Sequence, residues 1–216
     1  MDEELLASGL ERIGIAFSDE AVKRISVYIS EIMLFNPTLK LVGDTDPDGI
    51  LIRHVLDSAA AWPVFMEMTE KGTRIADLGS GAGFPGIVLA ILMPDREFVL
   101  LERMKRRALF LQSVIARTGL GNVRVDQRDL RECSEVYDCI TARAFHPLYD
   151  IAEDVMKIIS PSSVSIFYKG RRANVTSELD VLRGEGYSFQ STVRDIRVPY
   201  LDEMRSLCIL TDWIKQ

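Results

Sequence analysis

The sequence predicts an α/β chain: a seven-stranded, mostly parallel sheet with helices on both faces and its last strand antiparallel, plus an N-terminal helical cap. Three observations carry this. From about residue 72 short apolar runs alternate with helix-period segments, the pattern of a parallel sheet covered on both sides. A glycine-rich turn, Gly79-Ser80-Gly81-Ala82-Gly83, joins the first apolar run to a helix. The last two strand-like segments, Tyr187 to Val198 and Met204 to Trp213, have no helix between them, so they form a hairpin.

The cap comes first. Ser18 or Asp19 caps a helix whose apolar positions include Val22, Ile25, Ile29, Ile32 and Met33, close to a 3.6-residue period. Asn36-Pro37 is expected to end it, because the residue before proline avoids the helical region. Asp46-Pro47 opens the next helix, with an acid at the cap and proline at the first helical position. Ile50, Leu51, Val55, Leu56 and Ala59 give it a buried stripe, and Pro63 marks a break or a new start. Strands then read at 74–78, 97–102, 122–126, 138–142 and 163–169, and helices at 84–93, 104–118, 147–159 and 174–183. The expected division is a helical extension over 1–70 and a sheet domain over 71–216.

Composition narrows the function. The 216 residues are 47% hydrophobic and 27% charged, ordinary for a soluble domain. No apolar run approaches membrane-spanning length, and Met1-Asp2-Glu3-Glu4-Leu5-Leu6 lacks a signal-peptide pattern, so a cytoplasmic location is expected. Cys133, Cys139 and Cys208 are scattered and the only histidines are His54 and His146, so neither a disulfide framework nor a metal site is expected. A net charge of −6 argues against a general nucleic-acid coat protein. Yet Arg103, Lys105, Arg106 and Arg107 follow the second strand, and Lys169, Arg171 and Arg172 follow the fifth. Open α/β sheets bind ligands at those strand ends.

The glycine turn carries the chemistry. Dinucleotide sites use G-x-G-x-x-G with the pyrophosphate on the helix N-terminus. Here Asp77 precedes Gly79, Gly81 and Gly83, which alternate. An acid at that place repels a pyrophosphate and suits a cation. S-adenosylmethionine (SAM) carries an ammonium and a sulfonium and no phosphate, so the spacing favours it over NAD. Glu102, ending the second strand, is placed to take both ribose hydroxyls. The sheet is therefore read as Rossmann-like and of the SAM-methyltransferase type. Arg143 ends the fourth strand, where methyl donor and acceptor meet; its alternative is an ion pair with Asp77 or Glu102. Lys105, Arg106, Lys169, Arg171 and Arg172 are the candidates for an RNA-binding rim. His54 and Asp57, three apart on one helix face, suit a polar lock between the N-terminal helices and the glycine loop better than acid–base catalysis.

These pieces together resemble one family. Arg53-His54-Val55-Leu56-Asp57-Ser58, the run from Asp77 to Gly86 with its Phe84-Pro85-Gly86 extension, Lys105-Arg106, Arg143-Ala144-Phe145 and Lys169-Gly170 stand in the order found in the bacterial 16S rRNA guanine-N7 methyltransferases, the RsmG family, also called GidB (glucose-inhibited division protein B). The family's usual Trp-Asn and Asn-Leu-Thr stand here as Phe35-Asn36 and Lys40-Leu41-Val42. The resemblance implies that Gly79 and Phe84 line the methionine and adenosine ends of SAM, that Glu102 holds the ribose, and that Asp129 and Leu130 meet the adenine edge. Asp129 also reads as the N-cap of a short turn. The implied acceptor is N7 of a guanine, which carries no proton, with Arg143 as the catalytic residue, positioning the guanine O6 or the cofactor carboxylate rather than taking a proton. The implied partner is 16S rRNA or the small ribosomal subunit, met by a monomer. Other readings are a SAM enzyme acting on a small molecule or protein, and a SAM-binding ribosome-assembly factor without catalysis.

Overall fold

The computed structural model describes residues 1–170 and 172–215. Its N-terminal layer begins with α1 (Glu3–Ile13), whose cap Asp2 accepts from the amides of Glu4 and Leu5. α2 (Asp19–Leu39) is capped by Ser18, which accepts from the Ala21 amide. Each such cap is worth about 1 kcal/mol, because a helix start otherwise leaves its first amides unpaired. Contrary to the sequence expectation, α2 runs through Asn36-Pro37 and ends at Leu39, with Lys40 in the left-handed region at φ 52°. Proline that close to a helix end removes only one intrahelical donor. The Asn36 side chain compensates by receiving the Val42 amide and donating to the Asp44 carbonyl, which fixes the loop that follows.

Asp46 caps α3 (Pro47–Ile50) through the Gly49 amide, as the Asp-Pro pair predicts. The helix then widens into a π-helical turn, Leu51–Leu56, and closes as α4 (Asp57–Ala59). Ile50, Leu51, Val55, Leu56 and Ala59 are all fully buried, the predicted stripe. π-Helical turns re-aim the side chains they carry, and this one carries Arg53 and His54. α5 (Trp62–Met68) starts afresh at Trp62-Pro63.

The sheet has seven strands: β1 (Arg74–Leu78), β2 (Glu97–Leu101), β3 (Val123–Asp126), β4 (Tyr137–Arg143), β5 (Ile159–Lys169), β6 (Tyr187–Arg197) and β7 (Met204–Lys215). They lie in the order β3-β2-β1-β4-β5-β7-β6. The first five are parallel; β7 is antiparallel to β5 and β6. Register partners Ile75, Phe98 and Cys139 face one apolar cluster, and Ala76, Val99 and Ile140 face the opposite one. That period of two is what a sheet buried on both faces requires. α5, α6 (Gly86–Leu92) and α7 (Lys105–Thr118) cover the first face; α8 (Leu148–Met156) and α9 (Arg172–Gly184) cover the second.

α8 stops earlier than predicted and β5 starts earlier. Serines make this possible. Ser163 Oγ donates to the Tyr137 carbonyl at 2.7 Å and accepts from the Ser160 amide at 2.9 Å, across a register shift between Tyr137 and Cys139. The N-terminal helices share a single apolar cluster with α6 and α7, including Tyr28, Phe84, Ile87 and Leu111. They are therefore packed onto the same side as the glycine turn. Because β1 to β5 are parallel, their C-terminal ends fall on one edge, and every chemistry-bearing loop opens there.

Candidate active site

Two cavities open on that edge and share a wall. The first, about 630 Å³, lies between the ends of β1, β2 and β4 and is lined by Gly79, Glu102, Asp129, Leu130 and Phe145 among others. Gly79 is required there: its φ is +64°, and a Cβ would meet the Phe145 ring at 2.3 Å. Glu102 is buried, its two oxygens accepting from the Gly81 amide at 2.9 Å and the Met104 amide at 2.7 Å. Those bonds hold the acid at the end of β2 while leaving carboxylate lone pairs for a diol. Asp129 caps the short 3-10 turn Leu130–Glu132. Arg131 grips both its oxygens and Arg103 one, which holds its carboxyl well below the usual range. Leu130 is buried beside it.

Asp77 stands behind this cleft rather than in its wall. It is fully buried. One oxygen accepts from the Gly86 amide at 3.1 Å, tying β1 to the start of α6, and the other, Oδ1, has no hydrogen-bond partner. Burial pushes its carboxyl up to about 7, against the opposing pull of the nearby Ser80 hydroxyl, which donates to the Asp77 carbonyl at 2.9 Å, then of the Gly86 amide and the Arg143 charge. An unsatisfied buried carboxylate oxygen is costly and attracts positive charge. It fits a cationic, phosphate-free nucleoside such as SAM, with Gly79, Glu102, Asp129 and Leu130 as the residues that would hold it. Gly83, at φ +101°, is a packing glycine: its Cβ would strike Ile87, Leu111 and the Tyr28 hydroxyl. Phe84 also lies away from the cleft, between the rings of Tyr28 and His54 with the Arg143 guanidinium over its face.

The second cavity, about 460 Å³, lies between the ends of β4 and β5. Arg143, Phe145, Tyr168, Lys169, Glu178 and Arg205 line it. The shared wall is the loop Ala144-Phe145-His146, which borders both spaces. Ala144 sits at φ +51°, a conformation that costs a non-glycine residue about 1–3 kcal/mol and clusters at functional sites.

Arg143 is held by the π-helical turn. Its guanidinium donates to Asp57 Oδ2 at 2.8 Å, to the Arg53 carbonyl at 3.4 Å and to His54 Nδ1 at 3.1 Å. The expected His54–Asp57 contact is thus bridged by Arg143, and Asp57, not Asp77 or Glu102, is the arginine's carboxylate partner. Asp57 is buried and also receives Arg205 at 3.1 Å. A guanidinium only donates, so Nδ1 of His54 is the acceptor, and Nε2 carries the proton given to Asp44 at 2.8 Å. Burial, then the Arg143 charge, lowers the His54 pKa, which keeps the ring neutral. Its only basic nitrogen is occupied, so it is a positioning group and not a general base. Ser58 extends the lock: its carbonyl receives the Tyr168 hydroxyl at 2.7 Å.

The basic residues divide. Lys105 and Arg106 are exposed in the first turn of α7 and make no ion pair among the described residues. Cations at a helix start oppose the macrodipole, and no side chain caps this helix. Lys169 is instead half-buried and donates to Glu178 at 2.7 Å. Arg172 is exposed and pairs with Asp195. Arg171 lies outside the described residues. Nothing local in the sequence marks Tyr168, Glu178 or Arg205 for the site, and Asp44 is marked only by the acidic run Asp44-Thr45-Asp46. All three cysteines are buried, which raises their thiols and leaves no ready nucleophile among them.

The family described as GidB, rRNA small subunit methyltransferase G, matches residues 21–203. The Ribosomal RNA small subunit methyltransferase G of Treponema pallidum (strain Nichols) is 34% identical over 210 residues, covering 94% of this chain and 91% of the relative. That of Borrelia turicatae is 34% identical over 172 residues, covering 79% and 82%. Among solved structures, human methyltransferase 10 domain containing protein overlays with a TM-score of 0.57 at 12% identity, covering 88% of this chain and 98% of that one. Aeropyrum pernix fibrillarin, solved with natively bound S-adenosyl-L-methionine, overlays at 0.54 and 14% identity, covering 72% and 76%. These two share the fold.

Proposed function

This chain belongs to the rRNA small subunit methyltransferase G family, and from that premise we propose that it transfers the methyl group of SAM to N7 of a guanine in 16S rRNA. One observation carries the reading. A nucleoside-sized cleft with an acid at the end of β2 meets a second cavity of mixed cations and carboxylates across a single loop, Ala144-Phe145-His146.

SAM, bound in the first cleft, supplies an electrophilic methyl group. The protein's residues then have one task, placement. N7 has an in-plane lone pair and no proton, so no base has to act first. The occupied Nδ1 of His54 and the raised cysteine thiols fit a site without one. Arg143 fixes the septum loop by anchoring the end of β4 to Asp57 and His54, and lines the second cavity itself. Holding two reactants within reach and in line supplies much of such a rate enhancement. Lys105 and Arg106, with Arg172 farther along the edge, form the rim that meets phosphates, and the helices of residues 1–70 form one wall of the RNA path. The partner is 16S rRNA or the small subunit that carries it, met by a monomer in the cytoplasm; among the described residues no helix is long and apolar enough to cross a membrane.

Incubation with labelled SAM and small subunits lacking the modification tests this. The expected product is one 7-methylguanine, located by borohydride and aniline scission. Label in protein or metabolites but never in 16S rRNA would refute the assignment.

A further inference from the structure

We propose that the second cavity reads the Watson–Crick edge of the acceptor base, and that Glu178 selects guanine by accepting from its N1–H and 2-amino groups. This rests on the function proposed above and extends it to Glu178, which has no role there.

The cavity, about 460 Å³, is within the usual range of small-molecule sites, roughly 300–1,000 Å³. Phe145 and Tyr168 give it aromatic surface. The Tyr168 ring is fixed, since its hydroxyl is bonded to the Ser58 carbonyl. Enzymes that modify a base in structured nucleic acid take it out of the stack, seat it against such surfaces and read its Watson–Crick edge by hydrogen bonds.

Three polar groups line it: Arg143 at the end of β4, Lys169 at the end of β5, and Glu178 on α9, which Lys169 Nζ meets at 2.7 Å. Around the perimeter of guanine the order is N7, O6, N1–H, 2-amino. With N7 turned toward the cofactor cleft, the adjacent Lys169 and Glu178 match adjacent groups on that perimeter, the ammonium taking O6 and the carboxylate the two donors. Adenine would present the lone pair of N1 to that carboxylate and an amino group to the ammonium, and both contacts repel.

Glu178 is built for this task. Its Oε2 accepts from Lys169 Nζ at 2.7 Å and from the Leu148 amide at 2.8 Å, whereas Oε1 makes no hydrogen bond among the described residues. The Leu148 amide is the first of α8, whose preceding residue, Pro147, supplies no side-chain cap. The carboxylate is therefore held to the helix that follows the septum loop. One oxygen is structural, and the other is left for a ligand.

The test compares guanosine with inosine, which keeps N7, O6 and N1–H and lacks only the 2-amino group. 16S rRNA is assembled by splinted ligation with either nucleoside at the mapped position and reconstituted into small subunits. For the wild-type enzyme, kcat/KM is expected to fall about 10- to 100-fold on inosine, the usual worth of a lost specific base contact. Glu178→Gln should lose about 10-fold or more on guanosine and much less on inosine, so the ratio between them collapses. Equal wild-type rates on the two RNAs would overturn the inference, and that comparison needs no variant to fold. A Glu178→Gln enzyme equally impaired on both would show a purely structural role and also overturn it. Absence of methyl transfer to either RNA would instead strike the proposed function itself.

Discussion

The cofactor-side cleft and the lock around Arg143 meet at one loop, yet they are built on opposite principles. The cleft is made of backbone. Its shape comes from a left-handed Gly79, and its acid, Glu102, is oriented by the amides of Gly81 and Met104. All these residues lie in two short loops after adjacent strands. The lock is made of side chains gathered from distant parts of the chain: Asp44, His54, Asp57, Arg143 and Arg205. Backbone sites tolerate change in most neighbours and fail when a glycine is lost. Buried ionic sites fail when either partner is lost, because the charge left behind has no water to solvate it.

The widest separation between the two regions is expected at Asp57. Asp57→Ala strands the Arg143 guanidinium, while Arg205 keeps Glu203, and should destabilise the fold by about 3–5 kcal/mol, the usual result of breaking a buried pair. Chemical denaturation measures it. A loss under 1 kcal/mol would mean that water already solvates the lock. Arg143→Ala is next: turnover should fall about 10²- to 10³-fold, the scale of a lost positioned donor, with SAM affinity within a few-fold. Calorimetry beside single-turnover assays would show the split, and equal losses in both would merge the two regions into one.

Asp77 belongs to the cleft by sequence and to the buried ionic class by environment. Its folded pKa, about 7, lies above the ordinary 3.8. Between those values the folded state binds more protons than the unfolded one, so the Asp77 contribution to stability declines as pH rises. Asp77→Asn should therefore raise Tm above pH 7 by at least about 2–4 °C, with the gain shrinking toward pH 4, while weakening SAM binding. A variant less stable than wild type at pH 8 would contradict the assignment of a strained buried charge. The smallest effect is expected at the rim. Lys105→Ala with Arg106→Ala should leave Tm and SAM affinity unchanged and lower the salt slope of RNA binding by about 1.4, or 0.7 per phosphate contact. An unaltered slope would remove those residues from the RNA path.

The same contrast explains what could be read in advance. The seven strands, the final hairpin and the caps at Ser18 and Asp46 follow from apolar periodicity and capping chemistry, both local in sequence. The course of α2 through Pro37 did not, because the Asn36 side chain that supports the turn acts on residues six and eight positions away. Lys169 reads from its neighbours alone as a free lysine that grips an RNA phosphate or orients the base; its partner Glu178 sits on the next helix. Phe84 reads as cofactor-lining from the motif, yet its ring turns toward Tyr28 and His54 once the N-terminal helices dock.

By itself the sequence determined the sheet, its order of elements and the glycine turn and strand-end acid that border the first cleft, since periodicity, glycine spacing and strand-end acids act over a few residues. Only tertiary structure decided that Asp57 is the partner of Arg143, that His54 is neutral with its basic nitrogen engaged, and that Glu178 faces a second cavity. Those facts depend on which charges are brought together out of water. Coulombic pairing at a few ångströms overrides any preference written in the neighbouring sequence.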